Sequence, residues 1–214
     1  MLSVVKSIAL QGLDGILVRI ESDISRGLPA WEIIGLPDAS VKESKERVRT
    51  AIKNCNIDLP SRKYVINLSP ANIRKEGSVY DLAIAIGVLK AMNIIHKDLN
   101  DTIFIGELSL NGEVIKVNGV LPMCIEALKS GIKKVIVPKE NIFEASCIDG
   151  VEAIGVSNLK EVIDYLNGIL KITSNSYNNA FCNNSAEKYI IDYNEVKGQA
   201  STKRALEIAV ARKS

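Results

Sequence analysis

Histidine is almost missing from this 214-residue chain: His96 is its only one. That removes most histidine-based metal sites and catalytic triads. The four cysteines, Cys55, Cys124, Cys147 and Cys182, are far apart and form no CxxC pair. They read as reduced thiols of a cytoplasmic protein, with no disulfide framework or zinc site. Aromatic residues make up 5% of the chain and the net charge is only +2. Neither figure suggests a dedicated nucleic-acid surface. No apolar run is long enough to span a bilayer, so no membrane partner is expected. Residues 1–5 lack the charged n-region and long apolar stretch of a signal peptide. No GxxxxGK[ST] phosphate loop occurs.

What is present is a 47% hydrophobic fraction, enough for the core of one or two domains. Charge is uneven along it. Residues 171–214 hold seven of the 27 Lys and Arg but four of the 25 Asp and Glu, so the positive excess lies at the C-terminal end.

Residues 2–10 and 14–22 are rich in β-branched side chains around Gly12 and Asp14, which predicts a hairpin. Residues 29–34 predict a third strand, with Trp31 as a core aromatic. Gly35-Leu36-Pro37-Asp38 breaks the chain. Ser40 with Glu43 three residues on has the form of a capping box for a helix over 41–54. In that helix Val41, Val48, Ile52 and Cys55 share one face. Residues 64–68 read as a strand, 69–79 as a loop, and the apolar run after Asp81 as a buried helix to Met92. Asn111-Gly112 is a tight-turn pair between short strands. Alternating helices and strands follow to residue 167. The class is mixed α/β, an α+β sandwich rather than a doubly wound sheet. Residues 171–189 crowd Asn with Ser and Thr, a linker composition, and a helical pattern returns over 202–211.

Three blocks carry a resemblance: Gly35-Leu36-Pro37-Asp38-Ala39-Ser40-Val41 with Glu43-Ser44 and Glu46-Arg47-Val48; Asn67-Leu68-Ser69-Pro70-Ala71 with Tyr80-Asp81-Leu82; and residues 192–199 with Arg204-Ala205-Leu206-Glu207. Together they are similar to the N-terminal half of magnesium-chelatase-like AAA+ ATPases of the YifB/ComM family. The resemblance implies a Lon-protease-like domain of the ribosomal-protein-domain type over residues 1–168. It implies a linker over 169–190 and the truncated start of a P-loop AAA+ domain over 191–214. For the longer protein it implies ATP and magnesium as cofactors and a hexameric ring. The ComM branch is linked to DNA processing, including branch migration in natural transformation. The expected role of this part is assembly of the ring or guidance of its substrate. A peptidase-like protein and a magnesium-insertion subunit are the alternatives.

A Lon-type protease needs a serine activated by a lysine. The Lon serine loop reads KDGPSAG; Lys75-Glu76-Gly77 match its start, and Val79 falls on the nucleophile. The Lon lysine lies in a GGLKEK segment, and Leu121 falls on it. Both halves of the dyad are therefore replaced by apolar residues. Ser78 and Lys116 are close in sequence to the two positions but out of register. Gly198-Gln199 resembles the AAA+ segment beside the adenine, yet without a phosphate loop this chain is expected not to bind ATP. Lys42, Lys45 and Arg49 are the candidate nucleic-acid contacts, on a helix that also carries Arg47 and Lys53 against Glu43 and Glu46. Arg62, Lys63, Arg74 and Lys75 add to them if the fold brings them near. A solvated charged face is the commoner explanation of such a helix. Asp14, Asp81 and Glu107 have no cage spacing for a metal and read as solvated turns or helix caps.

Overall fold

The structure, a computed structural model, describes residues 2–175 and 198–211. The alternation of the first two segments closes into a hairpin. Strand β1 (Leu2–Gln11) pairs antiparallel with β2 (Asp14–Ser25) from Leu2↔Asp23 to Gln11↔Asp14. Strand β4 (Lys63–Ser69) pairs antiparallel with β2, and β3 (Ala30–Ile34) pairs parallel with β4 at the edge. On the other side β5 (Thr102–Phe104), β8 (Lys134–Pro138) and β9 (Glu152–Val156) add in parallel, giving the order β3-β4-β2-β1-β5-β8-β9. The expected mixed α/β class is what forms. Strands β6 (Glu107–Leu108) and β7 (Val114–Ile115) make a separate small hairpin whose turn contains Asn111-Gly112.

Five helices accompany these strands: α1 (Ala39–Asn54), α2 (Asp81–Ala91), α3 (Val120–Lys129), α4 (Ile142–Ser146) and α5 (Leu159–Leu166). Helix α2 is apolar almost all round because it is enclosed: every residue of it except Lys90 is buried. It lies on the sheet face that carries Ser3, whose hydroxyl donates to the carbonyl of Gly87 at 2.6 Å. Successive residues of a strand face opposite ways, so Leu10 and Gly15 meet α3 on the other face. Helix α1 buries Val41, Ser44, Val48, Ala51 and Ile52, close to the face read from its spacing.

The chain divides into two compact units, Met1–Phe181 and Cys182–Ser214. The amides of Ile169 and Leu170 donate to the carbonyl of Asp164, and Asn175 exchanges two backbone hydrogen bonds with Ala153 of β9. Residues 176–190 of the expected linker and 192–197 of the third block lie outside the described residues. In the second unit, α6 (Ala200–Ala211) carries an Arg204–Glu207 ion pair at 3.1 Å.

Candidate functional site

Lys75 ties the first two blocks together. Its backbone amide donates to Leu36 at 3.2 Å and its carbonyl accepts from Asp38 at 3.0 Å. Its ammonium donates to the carbonyls of Gly35 at 3.0 Å, Ile73 at 2.8 Å and Pro70. The residue is buried, and burial holds its amine below the usual lysine range. Gly35 has φ +100°, and a Cβ there would stand 2.2 Å from the carbonyl oxygen of Leu68. Only glycine lets the first block pass so close to β4. Lys75 is therefore a strut, and the fold does not bring it to the basic face of α1.

Asp38 starts α1. Its Oδ1 accepts from the amide of Val41 at 2.7 Å, and its Oδ2 accepts from the amide of Gly77 at 3.2 Å. This corrects the capping box expected at Ser40 and Glu43. Asp38 is the residue with extended backbone (φ −74°, ψ −174°), so its carboxylate, not the Ser40 hydroxyl, reaches the free amides. Gly77 at φ +81° turns the loop so that its amide points back at Asp38.

Asp81 is a second correction. The expected solvated turn residue is fully buried at the first turn of α2. Ser44 donates its hydroxyl to Oδ1, Arg47 Nε donates to Oδ2 at 2.6 Å, and the amide of Leu108 donates to Oδ2 at 3.3 Å. Burial pushes this carboxyl up, and the bonds from Arg47 and Ser44 work against that. Arg47, drawn inward, is held above its ordinary value chiefly by its hydrogen bond to Asp81. It is lost to the exposed basic face.

A cleft of about 380 Å³ opens beside this loop, lined by Glu76 to Tyr80 with Leu10, Glu107, Lys116 and Met123 among others. Val79 is nearly buried on its wall, and its carbonyl accepts from the amide of Gly106 at 3.0 Å. Ser78 donates its hydroxyl to Glu107. Lys116 lines the same cleft, but among the described residues no hydrogen bond joins it to Ser78. Leu121 is outside the lining, 39% exposed at the start of α3, with its amide donating to Glu144 at 2.8 Å. The cleft can receive a polar group; the group that Ser78 faces in it is the Glu107 carboxylate and not a lysine amine, so among the described residues the serine–lysine pair of a Lon-type site is not formed there.

A second recess of about 250 Å³ lies between α1 and the β3–β4 edge. Lys45 and Arg49 line it together with Lys53 and Arg62; Lys42 is exposed on α1 but does not. Arg74 pairs with Glu76 and Lys63 with Glu32. Trp31, expected in the core, is half-buried on the wall and stacks on Tyr64 with ring centroids 4.4 Å apart. Among the described residues no further strand pairs with the outer edge of β3. Gly198-Gln199 forms the turn into α6: the carbonyl of Gln199 accepts from Lys203 at 2.9 Å.

A family model described as subunit ChlI of Mg-chelatase matches residues 20–141. The chain belongs to this magnesium-chelatase-like family, in its YifB/ComM group. An uncharacterised protein of Mycobacterium tuberculosis is 40% identical over 96% of the chain and 40% of its own length. The competence protein ComM of Haemophilus influenzae is 36% identical over 98% of the chain and 42% of its own length. Lon protease 2 of Bacillus subtilis is 35% identical over 64% of the chain and 26% of its own length. The chain thus spans about two fifths of the length of the family members it matches. In this family member the first two blocks of resemblance meet at Lys75, Asp38 and the Arg47–Asp81 pair. Neither the pairing of Arg47 with Asp81 nor the joining of Arg62 to Lys45 and Arg49 had a local sequence signal.

Proposed function

We propose that this chain is the non-catalytic N-terminal part of an ATP-dependent AAA+ ring motor that acts on DNA, and that it assembles the ring or guides its substrate. One observation carries the reading. Lys75 and Asp81 of the protease-like loop are committed to structure, Lys75 to three carbonyls and Asp81 to Ser44 and Arg47, which supports the resemblance's placing of Val79 where a Lon protease has its serine. Similarity to a protein named for competence supports DNA as the substrate of the longer protein. ATP and magnesium would be bound by the part of the motor that follows the described helix α6, as a hexamer.

The test uses the longer protein. ATP hydrolysis stimulated by DNA, together with strand exchange, is the expected result. Hydrolysis indifferent to DNA with no strand exchange overturns it. The magnesium-insertion reading, favoured by the description of the matching family model, would give magnesium-insertion activity without DNA stimulation. A fluorophosphonate probe that labels Ser78 in the folded chain would restore the peptidase reading.

A further inference from the structure

The recess between α1 and the β3–β4 edge brings four cations to one aromatic wall. Lys45, Arg49 and Lys53 project from successive turns of α1, and Arg62 faces them from the segment before β4. Among the described residues none of the four is in an ion pair, and Glu46 is the one acidic residue on the lining. Arg49 and Arg62 line the recess together with Tyr64. Tyr64 is itself fixed: it is buried, and its hydroxyl donates to the carbonyl of Pro60 at 2.9 Å. Trp31 rests on this anchored ring at an interplanar angle of 20°, which holds the indole at a set orientation, half-buried on the lining of the recess.

Like charges gathered without partners have a cost unless an anion joins them. A rigid aromatic beside them adds what a simple anion site lacks, a surface for a planar group. We propose that this recess binds single-stranded nucleic acid, with Lys45, Arg49, Lys53 and Arg62 taking successive phosphates and Trp31 stacking an unpaired base. A duplex keeps its bases stacked on each other and cannot offer one to the indole. An acidic protein segment would satisfy the cations but would leave the indole unused. The inference rests on the reading of this chain as part of a DNA-acting motor and assigns the place where it holds the strand.

Trp31 is the single tryptophan of the chain, so its fluorescence reports the site alone. The 214-residue chain is titrated with a dT12 oligonucleotide, a 20-base-pair duplex and inorganic polyphosphate. The expected result is quenching of Trp31 by dT12, with affinity falling as salt rises at a log–log slope of about −3 for four phosphates. R49E/K53E, both changes at exposed positions, weakens dT12 binding at least tenfold. Trp31→Ala, followed by the anisotropy of fluorescein-labelled dT12 because it lacks the indole, weakens dT12 about tenfold, while polyphosphate, which displaces the labelled dT12, binds it unchanged. Absence of quenching, parental binding by R49E/K53E, or equal loss of dT12 and polyphosphate in Trp31→Ala overturns the proposal. The motor reading fails separately. If the longer protein hydrolyses ATP without regard to DNA while dT12 still quenches Trp31, the groove stands and the motor does not. If strand exchange persists unchanged in R49E/K53E and dT12 does not quench, the groove falls and the motor stands.

Discussion

Arg47 closes over the carboxylate of Asp81, with Nε 2.6 Å from Oδ2 and Nη2 3.2 Å from Oδ1, while the Asp81 side chain is wholly shielded from solvent. The same Nη2 donates to the carbonyl of Ser40 and the hydroxyl of Ser44 at 3.1 Å each, so the pair staples α1 to the first turn of α2. A forked guanidinium suits such a site better than an ammonium. Removing it leaves a buried charge without its partner, so Arg47→Ala is expected to lose about 3–5 kcal/mol of folding stability. R47M/D81L, which removes both charges, is expected to lose less than Arg47→Ala. Urea unfolding of the three proteins measures this, and a loss below about 0.5 kcal/mol for Arg47→Ala would show the pair to be dispensable.

The first hairpin, the buried α2 and the turn at Asn111-Gly112 were legible because each is written in adjacent residues, as a period, an apolar run or a turn pair. The Arg47–Asp81 pair was not, since 34 positions separate its members and each taken locally looks like a surface charge. Lys75 misled in the same way: a lysine in a loop reads as solvated, and only the return of Gly35 and Pro70 to one point encloses it. For the basic recess, Lys45 and Arg49 were visible as a helix face. Arg62 and the exposure of Trp31 followed from β3 being an edge strand, which sheet order decides and local pattern does not.

Asp38 serves two elements with one carboxylate, capping α1 through Val41 and holding the loop through Gly77. Asp38→Ala is therefore expected to cost about 1–2 kcal/mol, the upper part of the range for a helix cap. Asp38→Ser is expected to recover the cap and leave the Gly77 amide without its partner. Thermal unfolding should then rank parent, Asp38→Ser and Asp38→Ala in falling order. Equal midpoints for the two variants would mean that the loop contact carries all of the effect.

Cys124 is buried in α3, and burial, aided by the nearby Glu144 carboxylate, pushes its thiol up to about 12. Thiolate is the reactive form, so its population at neutral pH is about a thousandfold below that of a thiol at the ordinary 9.0. Cys147 is exposed and Cys55 half-buried, the latter also raised by burial. Of the three cysteines among the described residues, iodoacetamide at pH 8 should modify Cys147 first, Cys55 more slowly, and Cys124 only after unfolding. Peptide mass spectrometry reads the order, and early labelling of Cys124 would mean that α3 opens readily.

Lys75 carries a test of sign. Its ammonium is dehydrated, so the folded chain holds that proton less tightly than the unfolded chain, whose lysine keeps the ordinary value of 10.5. Between the lowered folded value and 10.5 the unfolded state binds more protons, and stability from this group rises with pH. Lys75→Met removes the titration along with three hydrogen bonds to carbonyls, at an expected cost of about 1–3 kcal/mol at neutral pH. The stability difference between parent and Lys75→Met should then widen as pH rises from 7 towards 10.5. Taking the difference cancels the alkaline effects common to both proteins. Urea unfolding at pH 7, 8, 9 and 10 supplies the four points. A difference that stays flat or narrows would mean that the ammonium is adequately solvated by its three carbonyls, and that the strut holds Gly35 and Pro70 without strain from its charge.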